Sequence, residues 1–202
     1  MKVGIVVDEN EKRIADWLDR KNLRVEEFAK KEKKKSKTPD FRVFKDDEFA
    51  FFCEVKTIDC DTWLDEQLSV VPSGTMVERF RRDPTYNRLT DDIHTAVGQF
   101  EAVNPNRKNL NVLAFVNHDK KCGFLDLLGV ITGDFFSEGG GRHPIFVKYS
   151  NGRIKEEKRK IDFYLWIDDF KPERFLFSDL SDKKTEKLCS YFGMNIKEIK
   201  EI

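Results

Sequence analysis

The sequence predicts an α/β fold, a central mixed β-sheet flanked by helices, and three patterns carry that prediction. Apolar residues recur at helical spacing in two places, Ile14, Trp17 and Leu18 near the start and Ile93, Ala96, Val97 and Phe100 in the middle. Between them, Phe41 to Phe44 and Phe49 to Thr57 are rich in aromatic and β-branched residues, as strands are. Leu110 to Val116 is a near-continuous apolar run, the mark of a strand covered on both faces.

Taken in order, a first helix is expected over about residues 10 to 20, with Asp8 three residues before Glu11 as a start signal. Leu23 to Phe28 follows as a strand. The cationic run Lys30 to Lys37 leads as a solvated segment to Thr38-Pro39-Asp40, where the proline turns Thr38 away from helix. Lys45-Asp46-Asp47-Glu48 is the polar turn of a hairpin between the two aromatic strands. Residues 57–91 contain the breakers Pro72-Ser73-Gly74 and Asp83-Pro84 and read as a connection with one short helix, an insertion or flap over the hairpin. The second helix should stop before Asn104-Pro105-Asn106. Phe124 to Ile131 is a further buried element, and Ser137 to Arg142, with its glycine triplet, a loop. Ile161, Phe163, Leu165 and Ile167 alternate like a half-buried strand, and Leu188, Cys189 and Phe192 give the apolar stripe of a closing helix.

The chain of 202 residues is expected to form one domain over residues 1–202. Lys plus Arg and Asp plus Glu both number 37, so overall charge points to no polyanion, and any such partner must be met by a local patch. The clearest patch is Lys33, Lys34, Lys35 and Lys37 within the cationic run, which could meet nucleic-acid phosphates and release counterions. The same run is also what an ordinary exposed segment looks like. The four cysteines are scattered and form no zinc-binding pair, and His94, His118 and His143 lack metal-site spacing. No leader or membrane span is apparent, so a soluble, cytoplasmic protein is expected. The glycine triplet lacks the pattern of a nucleotide-phosphate loop.

Chemistry gathers on the hairpin. Strand alternation puts Phe49, Phe51, Cys53 and Val55 on one face and Ala50, Phe52, Glu54 and Lys56 on the other, so Glu54 and Lys56 point the same way. An acid and an amine on so apolar a strand need partners, and a divalent cation with an anionic substrate would supply them. Asp40 begins the paired strand, and the hairpin brings its carboxylate beside Glu54. Two hard oxygen ligands suit Mg²⁺ or Mn²⁺, with Lys56 left to orient or deprotonate a water or to offset charge on a phosphate. The bland alternatives are a strand-start aspartate at Asp40 and an exposed charged pair at Glu54 and Lys56, and Phe52 speaks against the second.

Thr38-Pro39-Asp40-Phe41, a hairpin, then Cys53-Glu54-Val55-Lys56-Thr57 resembles the signature of the PD-(D/E)XK nuclease superfamily, the restriction-endonuclease-like fold. The order of elements over about residues 10 to 120 is similar as well, including Ala96-Val97-Gly98-Gln99-Phe100 before the buried strand. The resemblance implies a metal-dependent phosphodiesterase cleaving DNA, with Asp40, Glu54, Lys56 and Gln99 catalytic and Mg²⁺ or Mn²⁺ on Asp40 and Glu54. Glu11 is a further candidate ligand that matches the acidic helix position less closely, and a first-turn helix acid is its ordinary reading. The rival is a non-catalytic nucleic-acid-binding or assembly module that keeps the fold. RNA in place of DNA stays open, and double-strand cleavage would call for a homodimer or a larger nuclease complex. Residues beyond about 120 match nothing in the resemblance.

Overall fold

The computed structural model describes residues 8–60, 66, 69–76, 85–137, 141–145, 147–149, 151–178 and 181–198. Helix α1 (Glu9–Asp19) starts where Asp8 accepts a hydrogen bond from the Asn10 N–H at 2.8 Å, and it buries Ile14, Trp17 and Leu18. Strand β1 (Arg24–Glu27), helix α2 (Lys30–Lys35) and the hairpin β2 (Phe41–Lys45) and β3 (Glu48–Ile58) follow. Helix α3 (Thr85–Val103) leads to β4 (Leu110–Asn117), helix α4 (Phe124–Thr132) and a small hairpin, β5 (Asp134–Phe136) with β6 (Arg142–Pro144). Three 3₁₀ turns between Val147 and Lys160 precede β7 (Phe163–Asp168), β8 (Arg174–Phe177) and helix α5 (Asp182–Phe192).

Six strands form one mixed sheet in the order β1-β2-β3-β4-β7-β8. The inner pairs β3–β4 and β4–β7 are parallel, whereas β1–β2, β2–β3 and β7–β8 are antiparallel. Helices cover both faces. On one, α3 and α4 pack over Phe52, Leu113, Phe115, Tyr164 and Trp166; on the other, α1 and α5 pack over Phe51, Cys53, Val112, Ala114, Phe163 and Leu165. Both faces of β4 are therefore apolar, as its unbroken run requires.

Several expectations change. The cationic run is partly helical: Glu32 caps α2 by accepting the Ala29 N–H at 2.9 Å and also binds Arg42, whose guanidinium lies 3.8 Å over the Phe28 ring. Phe124 to Ile131 is a helix whose apolar character comes from burial, a case periodicity alone does not decide. The half-buried strand is buried on both faces, because Tyr164 and Trp166 hide their rings under α3 and α4 while the indole N–H reaches Asp168 Oδ2 at 3.2 Å. The expected alternation at the start of β3 is wrong. The register steps from Val43↔Phe51 to Phe44↔Phe49, so Ala50 is the extra residue of a β-bulge. Phe49 thereby joins Phe52 on the α3 face, their rings 4.8 Å apart, and Ala50 joins the opposite core. Most of the expected flap over residues 57–91 lies outside the described residues; at its ends β3 runs on to Ile58 and α3 already begins at Thr85. Ser137 and Gly141 close the tip of the small hairpin by mutual hydrogen bonds, and residues 138–140 of the expected loop lie outside the described residues.

Candidate active site

Strand β2 begins at Phe41, opposite Cys53, so β3 runs beyond the end of its neighbour. The next outward N–H on β3, that of Val55, has no strand to bond. Asp40 takes its place: its Oδ2 accepts that N–H at 2.8 Å, which holds the carboxylate at the level of Glu54. The Thr38-Pro39 segment thus delivers Asp40 to the level of Glu54.

Glu54 follows the bulge in ordinary alternation and points with Phe52 and Lys56 toward α3. Its side chain is 2% exposed, and Lys56 Nζ donates to Oε1 at 2.7 Å. Gln99, on α3, completes the link: its Oε1 accepts from Lys56 Nζ at 3.3 Å, while its Nε2 donates to the Thr38 carbonyl at 3.1 Å. The donation to Thr38 decides which end of the amide meets the lysine. Glu54 Oε2, by contrast, is buried and has no hydrogen-bond partner. Burial first, the neighbouring Asp40 charge second, and a hydrogen bond from the carboxyl, once protonated, to Asp40 push Glu54 up to about 8 despite the opposing lysine.

Glu11 shares this acidic field from α1. Burial and the Asp40 charge push it up to about 7, with Asp8 and Glu27 adding to the rise and Lys33 working against it. The structure so brings Asp40, Glu54, Lys56 and Gln99 together and sets Glu11 nearby. Among the described residues, no group of three or more His, Cys, Asp or Glu side chains is arranged to hold a metal ion. Two carboxylates with one orphaned oxygen remain a sound fit to Mg²⁺ or Mn²⁺, which bind through one or two carboxylates and otherwise through water and substrate phosphate. A soft or four-ligand metal would find no matching donor set here.

The cationic run lies on the flank of this centre. Lys33 Nζ is 3.9 Å from Glu27 and within the field of Glu11, and Lys37 is exposed; the side chains of Lys34 and Lys35 lie outside the described residues. Sequence reasoning missed two anchors, the Thr38 carbonyl and the Val55 N–H, because backbone groups leave no mark in residue identity. It gave His118 a structural role without naming its partners. That ring bridges Asp169 Oδ2 at 2.6 Å and Asn10 Oδ1 at 2.9 Å, and its backbone N–H bonds Ile58 O at 2.9 Å. It thereby ties α1, which bears Glu11, to the end of the strand that bears Glu54. Burial works to raise the Asp169 carboxyl, but His118 and Arg13 together hold it below its ordinary value.

Comparisons with protein-family models, with curated protein sequences and with solved structures yield no match to this chain.

Proposed function

We propose that the chain is a Mg²⁺- or Mn²⁺-dependent phosphodiesterase acting on DNA, with the restriction-endonuclease-like fold that its PD-(D/E)XK pattern resembles. The observation that carries this reading is Glu54: a carboxylate sealed in the core, one oxygen bound to Lys56 and the other without a donor, beside a second carboxylate. As a bare carboxylate such an arrangement is costly, a cost the fold meets by retaining a proton up to about pH 8 and one that a bound cation would meet instead. Asp40 and Glu54 would hold that cation, and Glu11 stands close enough to add its charge. A bound divalent ion supplies Lewis-acid polarisation of the phosphate and a more acidic water.

The residues themselves define the rest. An ammonium has three donors, and Lys56 spends one on Glu54 and one on Gln99. The third remains for a phosphate oxygen or the attacking water. Gln99 keeps the lysine in that orientation through its grip on Thr38. Asp40 is held by a backbone N–H, so its position follows the strand and not a side-chain rotamer.

The second reading, a non-catalytic nucleic-acid-binding or assembly module of the same fold, is favoured by one observation: no three-residue ligand group is formed among the described residues. Cleavage of labelled single- and double-stranded DNA with and without Mg²⁺ or Mn²⁺ separates the two. Metal-dependent cleavage that disappears in Glu54→Ala and in Lys56→Ala supports the nuclease. Salt-sensitive binding with no cleavage by the wild type supports the module.

A further inference from the structure

We infer that the loops following β4 and β7 form a second nucleic-acid contact, a rim that stacks an unpaired base on Phe170 and binds the flanking phosphates of single-stranded DNA through Lys120, Lys121 and Lys171. This inference rests on the reading of the acidic site given above and places the strand that the site would act on.

Strands β3, β4 and β7 end level, with Ile58 in register with Asn117 and Asn117 with Asp168. The chain then turns outward through residues 118–123 and 169–173. The groups that build these turns face inward. Asn117 Nδ2 donates to Cys122 O at 2.9 Å, and Asp168 accepts from Trp166 Nε1 and, at 2.8 Å, from the Phe170 N–H. Asp119 is fully buried, and Asp169 is taken by His118 and Arg13. Facing outward are three lysines and one acid, Glu173, just before β8. Lys120, Lys121 and Lys171 are exposed, and none is paired with a carboxylate among the described residues. Phe170 is 47% exposed, and Lys120 Nζ lies 5.3 Å from its ring centroid.

The rim also lies on the same edge of the sheet as the acidic site. Lys56 is in register with Phe115 and Trp166, and Phe170 follows four residues later. With a rise of about 3.3 Å per residue and about 4.8 Å between strands, the end of β7 at Asp168 lies roughly 12 Å from Lys56, and Phe170 is two residues beyond it. That is within the reach of a few nucleotides. On the other side of Glu54 and Asp40, next to β1 and β2, stands α2 with Lys30, Lys31 and Lys33 exposed. Along that edge lysines stand on both sides of the acidic centre, with Asp59 and Glu173 also exposed among them, in a chain with no overall charge excess. A polyanion laid along that edge meets lysines at both ends and the cation-requiring carboxylates between them. The aromatic ring selects an unpaired strand, since only unstacked bases offer a face to it.

The test is fluorescence anisotropy with a labelled single-stranded oligonucleotide and its blunt duplex, in EDTA, across a range of salt. Phe170→Ala should weaken single-strand binding about tenfold and leave duplex binding unchanged. The combined Lys120→Ala, Lys121→Ala, Lys171→Ala variant should bind at least tenfold more weakly, with a slope against log salt shallower by about 2. Lys183→Ala should bind as the wild type; it neighbours Lys184, which bonds Asp162 at the opposite edge of the sheet. Wild-type affinity in both rim variants, or no binding by the wild type, overturns the inference, and equal loss on duplex overturns the single-strand assignment. If the wild type cleaves DNA while the rim variants bind normally, the inference fails and the nuclease stands. If binding maps to the rim and no metal supports cleavage, the nuclease reading fails and the rim stands.

Discussion

Glu54 combines the deepest burial with the greatest electrostatic strain of any residue in the site. Its carboxyl has an ordinary value of 4.5 and is held up to about 8 in the fold, so folding favours the protonated form. The stability this contributes is complete below about pH 4.5 and is lost as the pH rises through about 8. Glu54→Gln should therefore flatten the fall of Tm between pH 5 and pH 9 in EDTA, and at the upper end should melt higher than the wild type by roughly 4–8 °C, about 2 kcal/mol. Added Mg²⁺ should raise Tm in the wild type and not in the variant; a parallel decline in both proteins would contradict the assignment. Gln99 tests the lysine in a second way. Gln99→Ala should lower cleavage by about 10- to 100-fold while single-strand affinity stays the same, because the side chain orients Lys56 and does not hold substrate. At this scale the meeting of Asp40, Glu54 and Lys56 was legible in the sequence, since proline and strand alternation are local, whereas Gln99 entered only through the resemblance. The orphaned oxygen, and the Thr38 carbonyl that steers Gln99, were not, because both depend on segments about sixty residues apart.

The two edges of the sheet carry different loads. At the amino ends of β4 and β7, Asp162 is fully buried and accepts from the Asn111 N–H at 2.8 Å, Lys184 Nζ at 2.9 Å and Arg107 Nη2 at 3.0 Å. Asn111 in turn donates to Lys160 O and accepts from Asn104. Asp162→Ala should cost about 2 kcal/mol in a urea melt, chiefly because it leaves the buried Asn111 N–H without an acceptor, while the partly exposed Lys184 and Arg107 remain solvated. Cleavage at a temperature where the variant is folded should be retained, because the site occupies the other edge. A loss of cleavage matching Glu54→Ala would show that the two edges are not independent. Elements with a clear period, α1, α3 and α5, could be placed from sequence. The bulge at Ala50 could not, since an inserted strand residue shows itself only against its partner strand. Nor could α2, whose turn is fastened by Glu32 to Arg42 on another element.

Across the whole molecule, equal numbers of acidic and basic residues leave binding to geometry. Charge reversal at Lys33 and Lys37 should weaken single-strand DNA binding and make its dependence on log salt shallower by about 1.4, the value for two lost phosphate contacts. Unchanged affinity would remove α2 from the path. Among the described residues, no helix is long and apolar enough to cross a membrane. The sequence by itself determined the fold class, the order of helix, hairpin and buried strand, and the meeting of Asp40, Glu54 and Lys56, because period and turn chemistry are properties of neighbouring residues. The tertiary structure alone decided that Glu54 is desolvated and lacks a donor, that Asp40 replaces a missing strand at Val55, and that cations border the acidic centre on both sides. Desolvation and hydrogen-bond partners are set by segments meeting across the sheet, and a one-dimensional pattern records which face is apolar without recording what lies against it.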